Sequence, residues 1–341
     1  MRAIPTLCVP MGDPAGIGPE IILKALSHGT HAGKATVLVL GDRNLFEKTA
    51  SDCALGNPFD AVIEHEDEIG IARKDSQGKA VLYHMPLVDL ARFRYGTIDG
   101  MCGKAAYEAI ARAVSLTQAG YADAIVTPPL HKEALRAAHI DAIGHTEILA
   151  QLSNSDRAVT MFETLGLKIF FMTRHLSLRA ACDAVTEERV YRSIKECYAL
   201  TMNDAFDTNL PFVVAALNPH GGEHGLFGDE EERAIVPAIA RCRAEGLDVV
   251  GPVGADSVFH LTRKGLYRAV LSLYHDQGHI AAKTLDFDRT ISITWGLPFL
   301  RTSVDHGTAF DIAGRGIASE ISMVEAMRVA VRYLAGARGS V

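Results

Sequence analysis

The sequence predicts an α/β fold with a mostly parallel sheet, and three observations carry that expectation. Short apolar, β-prone runs alternate with longer segments of helical period, as where Thr6 to Val9 precedes Ile21, Ile22, Ala25 and Leu26. Many of these runs stop at glycine, proline, asparagine or aspartate, the residues that end a strand and open a turn. At 341 residues and 48% hydrophobic content, with mean hydropathy +0.11, the chain is long for one domain and comfortable for two. The expected architecture is therefore an α/β sandwich in two lobes with a cleft between them.

Taken in order, Thr6 to Val9 reads as a buried strand, and Met11 to Glu20 (MGDPAGIGPE) turns into a helix with Pro19 in its first turn. Gly16 and Gly18 form a G-x-G, but Ile21 occupies the place of a third glycine, so this is a glycine-rich turn without the Rossmann fingerprint. Ala35 to Leu40 is a second strand and Asn44 to Ala50 a helix. From Ser51 to Tyr95 the pattern breaks up, and the segment reads as irregular and peripheral, with weak strands near Ala61 and Val81. Its acidic run Glu64 to Glu68 suits solvated surface better than a metal site.

Gly103 to Ala119 has a clear helical period, and the strand Ala124 to Val126 is halted by Pro128 and Pro129. Gly144-His145-Thr146-Glu147 opens another helix. Thr186 is a good N-cap, with Glu187 and Glu188 placed to meet the helix dipole. Asp229 to Glu232 start the helix that runs through Ile235 to Ala244. Ser322 with Glu325 reads as a capping box for the last helix, whose Val324, Met327, Val331 and Leu334 face inward.

Bulk chemistry narrows the function. The net charge is −7, and Lys and Arg are scattered, so the footprint of a nucleic-acid binder is missing. No apolar run approaches the ~20 residues that span a bilayer, and the N-terminal apolar stretch is too short for an export signal. A cytoplasmic location without membrane attachment is expected. The six cysteines are widely spaced without a C-x-x-C, which suits buried free thiols.

The strongest chemical signal is a set of histidines at strand ends. His275 follows the apolar run Ala269 to Leu273, His175 follows Ile169 to Thr173, and His220 follows Phe212 to Leu217. In an open α/β sheet that edge is where ligands bind. Among 14 histidines some fall at strand ends by chance. Three in this position nevertheless make a candidate metal site, and imidazoles without thiolates leave coordination positions open for substrate oxygens. Lys132, after the two prolines, belongs to the same kind of edge, although a helix-start lysine there is often merely exposed. The spacing His275-x-x-x-His279 is superficially like a zinc protease helix, but Asp276 replaces the general-base Glu and Gly278 weakens the helix.

Several motifs converge on one family. Met11 to Glu20, Thr127 to Leu135 (TPPLHKEAL), Gly144 to Glu147 (GHTE), Asn218-Pro219-His220, Tyr274 to Gly278 (YHDQG) and Gly296 to Gly314 (GLPFLRTSVDHGTAFDIAG) occur in order over nearly the whole chain. Together they resemble the NAD-dependent 4-hydroxythreonine-4-phosphate dehydrogenases of pyridoxal phosphate biosynthesis. That resemblance implies a fold like the isocitrate and isopropylmalate dehydrogenases: two α/β lobes, with residues 1–130 and 300–341 on the cofactor side and 131–299 for metal, substrate and dimerisation. It implies a homodimer whose active site lies at the interface, with metal ligands from both chains.

The resemblance assigns a divalent metal (Zn, Mg or Co) to His175, His220 and His275. Substrate contacts fall on His145, Thr146, Lys283 and Arg301, with Ser292 where an asparagine is customary. NAD falls against His306, Gly307, Thr308 and Asp311, and Lys132, His275 and Asp276 take catalytic roles. His279 is a second departure, since the biosynthetic enzymes carry an apolar residue there and HDQGHI looks like side branches of the family. The expected reaction is oxidation of the C3 hydroxyl of 4-phosphooxy-L-threonine, then decarboxylation to 3-amino-2-oxopropyl phosphate. The alternatives are D-threonate or D-erythronate 4-phosphate and, disfavoured by Arg301 and Lys132, an aromatic cis-dihydrodiol.

Overall fold

The computed structural model describes residues 4–75, 78–142 and 144–337. β1 (Thr6–Pro10) leads into α1 (Gly18–Ser27), β2 (Thr36–Gly41) into α2 (Arg43–Asp52), and β3 (Ala61–Ile63) into α3 (Glu66–Asp75). β4 (Ala80–His84) precedes α4 (Gly100–Gln118), and β5 (Ala124–Thr127) precedes α5 (Lys132–Ala137) and α6 (His145–Leu152). β6 (Val159–Thr164) and β7 (Leu167–Phe171) form an antiparallel hairpin. Then come α7 (Leu178–Asp183), α8 (Glu187–Leu200), β8 (Phe212–Ala215), α9 (Val236–Ala244), β9 (Val249–Val253), α10 (Ala255–Arg263), β10 (Ala269–Ser272) and α11 (His275–Leu285). β11 (Ile291–Trp295), β12 (Leu300–Val304) and α12 (Ile321–Ala337) complete the chain.

Two compact units result. The first joins Met1–Ala158 to Ile291–Ala335, and the second is built on Val159–Thr290. The divisions fall after residues 158 and 290, not near 130 and 299, because Leu135, Ile148 and Leu149 are buried in one core with Cys8, Leu38 and Ile125. Leu297 and Phe299 pack against that same core.

In the first unit the strand order is β3-β4-β2-β1-β5-β12-β11, parallel except for the antiparallel β11–β12 pair. In the second it is β6-β7-β10-β8-β9, again parallel apart from the β6–β7 hairpin. Strands such as β1, β2, β5, β8 and β10 are buried at every residue. That is why they read as unbroken apolar runs: helices cover both faces of a parallel sheet.

Three expectations need correction. Residues 51–95 are not merely peripheral, since β4 pairs with β2 over five residues and buries Ala80 to Tyr83. So short a run, bounded by Lys79 and His84, shows no period of its own. Ser322 is no cap: it lies inside α12, and Glu325 binds Arg328 instead, at 2.6 and 2.8 Å. The inward face of α12 is turned accordingly, with Met323, Ala326, Met327, Ala330 and Tyr333 buried while Val324, Val331 and Leu334 are half-buried.

Gly16, in the glycine-rich turn before α1, serves chain packing. A Cβ there would stand 2.8 Å from Thr308 Cβ and 2.9 Å from its carbonyl oxygen, closer than real Cβ contacts allow. Five of the six cysteines are buried, and burial raises Cys53 to about 11 and Cys102 to about 12, so these thiols stay protonated at neutral pH. Among the described residues no helix is long and apolar enough to cross a membrane.

Candidate active site

In the second unit, β7, β10 and β8 lie side by side and parallel, with Val270 of β10 opposite Ile169 on one flank and Val213 on the other. Their C-terminal ends therefore share one edge of the sheet. The chain leaves β7 toward His175, β10 toward His275 and β8 toward His220. A network of buried polar groups fixes this edge. Gln277 Oε1 accepts from Ser272 Oγ at 3.1 Å and Leu273 N–H at 2.8 Å, while its Nε2 donates to Ala216 O at 2.7 Å, tying β10 to β8. Thr173 Oγ1 donates to Leu273 O at 2.8 Å, tying β7 to β10.

The loop carrying His220 is braced by Glu231, whose Oε1 accepts from the Leu217 and Asn218 amides, both at 2.8 Å. Asp229 to Glu232 thus do more than start a helix. His220 itself takes a left-handed backbone (φ 55) and its Nδ1 lies 3.4 Å from Glu223. The rings of His175 and His275 stand 6.5 Å apart. His175, His275, Tyr274 and Arg174 line an open cavity of about 280 Å³. His275 Nδ1 is bound to Asp276 Oδ1 at 2.6 Å, which reserves Nε2 for a ligand. Among the described residues no three His, Cys, Asp or Glu side chains converge closely enough to hold one ion. Lys283, in the last turn of α11, lies with Nζ 5.1 Å from the Phe287 ring centre.

The first unit holds the remaining expected residues. Arg301 on β12 is only 4% exposed. Its Nε and Nη2 donate to Thr127 Oγ1 at 3.0 and 2.7 Å, and its Nη1 to Thr294 Oγ1 at 3.0 Å. The β11–β12 register sets Ser292 opposite Ser303 and Thr294 opposite Arg301, and period-two alternation puts all four on one face. The opposite face is tied to α12, through Thr302 Oγ1 and Ala326 O at 2.9 Å.

His145 begins α6, and its Nε2 is buried without a hydrogen-bond partner. Burial, and then the positive Arg301, hold the ring well below the usual imidazole range, so it stays neutral. Thr146 follows it in the first turn. Lys132 begins α5, and a Cβ added to Gly144 would lie 4.0 Å from its Cε, so the lysine chain reaches toward the start of α6.

The loop His306 to Asp311 is seated on the Met11–Gly18 turn, where Ile17 N–H donates to Thr308 O at 3.0 Å. Thr308 is buried, Gly307 and Asp311 are exposed, and His306 Nδ1 lies 3.0 Å from the Gly307 carbonyl. Sequence reasoning passed over four residues in this unit. Asp13 is 1% exposed, with Oδ1 accepting from Ala15 N–H at 2.9 Å and Oδ2 unpartnered, and burial pushes its carboxyl up to about 6. His131 stacks on Phe310 at 4.5 Å. Thr127 and Thr294 carried no local signal, because their role depends on a strand far away in sequence.

The structure thus divides the expected site residues into two groups. His175, His220, His275, Asp276 and Lys283 belong to the second unit, while Lys132, His145, Thr146, Ser292, Arg301 and the 306–311 loop belong to the first. The model of the pyridoxal phosphate biosynthetic protein PdxA family matches residues 33–330. The chain belongs to the PdxA family.

A provisionally named D-threonate 4-phosphate dehydrogenase of Fusobacterium nucleatum is 50% identical over 96% of each chain. One with the same provisional name from Symbiobacterium thermophilum is 48% identical over 99% of each. Among solved structures, a 4-hydroxythreonine-4-phosphate dehydrogenase from Klebsiella pneumoniae superposes with TM-score 0.86 at 38% identity, covering 98% of this chain and 99% of that one. A terephthalate 1,2-cis-dihydrodiol dehydrogenase from Burkholderia xenovorans reaches 0.61 at 25% identity, covering 96% and 98%. This PdxA-family chain is accordingly an oxidoreductase of the PdxA type.

Proposed function

We propose that the protein oxidises the C3 hydroxyl of a four-carbon sugar-acid phosphate, D-threonate 4-phosphate, with NAD as hydride acceptor and a divalent metal as cofactor. The observation that carries this reading is the shared edge of β7, β10 and β8, from which His175, His275 and His220 extend. Their donor chemistry fits a divalent ion: three imidazoles, one of them with Nδ1 already held by Asp276 so that Nε2 is the ligating nitrogen. Among the described residues of a single chain no three ligands come together, and a homodimer in which a second copy completes the set accounts for that. When bound, the ion supplies Lewis acidity, lowering the pKa of the reacting hydroxyl and favouring the carbonyl that replaces it.

The chain's own residues do the rest. Arg301, its guanidinium plane fixed by two threonines, offers a planar donor set to phosphate or carboxylate, with Lys132 and Lys283 as further cationic contacts. Neutral His145 donates or accepts one hydrogen bond at substrate oxygen without adding charge. Lys132 is assigned to receive the hydroxyl proton as the C3 hydride passes to NAD. The oxidised product is a 3-oxo acid, and loss of its carboxylate as CO₂ leaves dihydroxyacetone phosphate.

The choice of a sugar acid over 4-phosphooxy-L-threonine is supported by the relatives at 48–50% identity and by Ser292. The amino acid remains the second reading, supported by the 38%-identical Klebsiella structure. The test is stoichiometry: the metal-loaded protein should form NADH and CO₂ in equal amounts, and a chelator should abolish both. Undiminished turnover after metal removal would overturn the metal assignment.

A further inference from the structure

His279 lies one helical turn after His275 on α11, and its ring stacks on that of His275 with centroids 3.5 Å apart and planes 13° from parallel. Its Nδ1 is 2.8 Å from the His275 carbonyl oxygen. A carbonyl only accepts, so Nδ1 carries the proton. Behind it stand Phe162 of β6, its centroid at 4.3 Å and tilted 62°, and Phe171 of β7 at 4.7 Å and 44°. These two phenyl rings pack edge-on at 5.2 Å.

Gly278 lets the helix come this close. A Cβ at that position would stand 2.5 Å from the Phe171 ring and 2.9 Å from Ile169. The His275 ring is therefore held in two ways, by an in-plane bond from Nδ1 to Asp276 and by a flat contact with His279, itself backed by core aromatics.

We propose that His279 is a positioning residue whose ring fixes the plane of His275 and so presents Nε2 in the orientation a divalent ion requires. The assignment rests on the reading of His275 as a metal ligand. It follows from rotamer entropy: a ring already confined gives up less freedom on binding, and partners behind a ligand are worth ~10- to 100-fold in metal affinity. Stacking is the effective contact, because Asp276 already sets the tautomer and the bond from His279 is made to backbone, not to the His275 ring.

Two substitutions separate ring from hydrogen bond. His279→Gln keeps an N–H donor and loses the ring, whereas His279→Phe keeps the ring and loses the donor. Affinity for cobalt(II) is measured by competition with a chromophoric chelator, together with the visible absorption of the bound ion and a thermal melt of each variant. His279→Gln should raise the Kd about tenfold or more and alter the cobalt bands, while His279→Phe should stay within roughly threefold of the parent. Should His279→Gln not fold, His279→Asn takes its place. Equal affinity in the ring-less variant, or an equal loss in both variants, overturns the proposal. Absence of cobalt binding by the parent chain would instead sink the metal reading, and this inference with it.

Discussion

Arg301 gives two of its N–H groups to one hydroxyl, Thr127 Oγ1, at 3.0 and 2.7 Å, across 174 positions of sequence. The contact joins the last residue of β5 to its parallel neighbour β12 and locks the guanidinium plane inside the first unit. Thr127→Val keeps the shape and removes the acceptor. It should destabilise the fold by about 1–3 kcal/mol, the cost of leaving buried donors without their partner, as a urea unfolding series would show. A stability loss too small to measure would mean that water replaces the hydroxyl.

Arg301→Lys keeps the charge but not the planar donor set. If Arg301 grips an anionic end of the substrate, kcat/KM should fall roughly 10- to 100-fold, the equivalent of about 1.5–3 kcal/mol for a charge-assisted bond. Steady-state kinetics decide it, and unchanged KM and kcat would remove Arg301 from the substrate site.

His145 supplies a pH dependence. Its folded pKa is depressed by burial and by Arg301, so below the ordinary value of 6.5 the unfolded chain takes up a proton that the folded chain refuses. The stability contributed is present above that value and is lost as pH falls. His145→Gln should flatten the decline in unfolding free energy between about pH 7 and about pH 5. The same slope in parent and variant would show that His145 is accessible to protons.

Asp13 has the opposite sign. Its carboxyl is raised from 3.8 to about 6, so the folded chain holds the proton more tightly, and stability drops as pH rises through that window. Asp13→Asn should be more stable than the parent at neutral pH by about 2–3 kcal/mol and lose that advantage in acid. Asp99, the N-cap of α4, Cys102 of α4 and the backbone N–H groups of Ala15 and His131 are the groups that face it. A gain that persists unchanged in acid would trace the effect to packing instead of ionisation.

How much of this was legible beforehand follows from the range of each interaction. A strand buried on both faces announces itself in five residues, so the positions of His175, His220 and His275 at strand ends could be read directly. Their common edge could not, because it requires β10 to lie between β7 and β8, an order set by pairing and not by sequence. The Thr127–Arg301–Thr294 arrangement was hidden for the same reason. Gly16 could be read as part of a glycine-rich turn, but not the reason for the glycine, because Thr308, which a Cβ there would meet, lies far along the sequence. Ser322 and Glu325 matched a capping pattern, yet nothing local revealed that Arg328 claims the carboxylate.

Parallel NADH-formation assays decide the substrate. The metal-loaded protein should be given NAD with D-threonate 4-phosphate, D-erythronate 4-phosphate, 4-phosphooxy-L-threonine and an aromatic cis-dihydrodiol. The highest kcat/KM is expected for D-threonate 4-phosphate, with no turnover of the diol. Preference for 4-phosphooxy-L-threonine would reverse the choice between the two acids, and turnover of the diol alone would overturn the assignment to a phosphorylated acid.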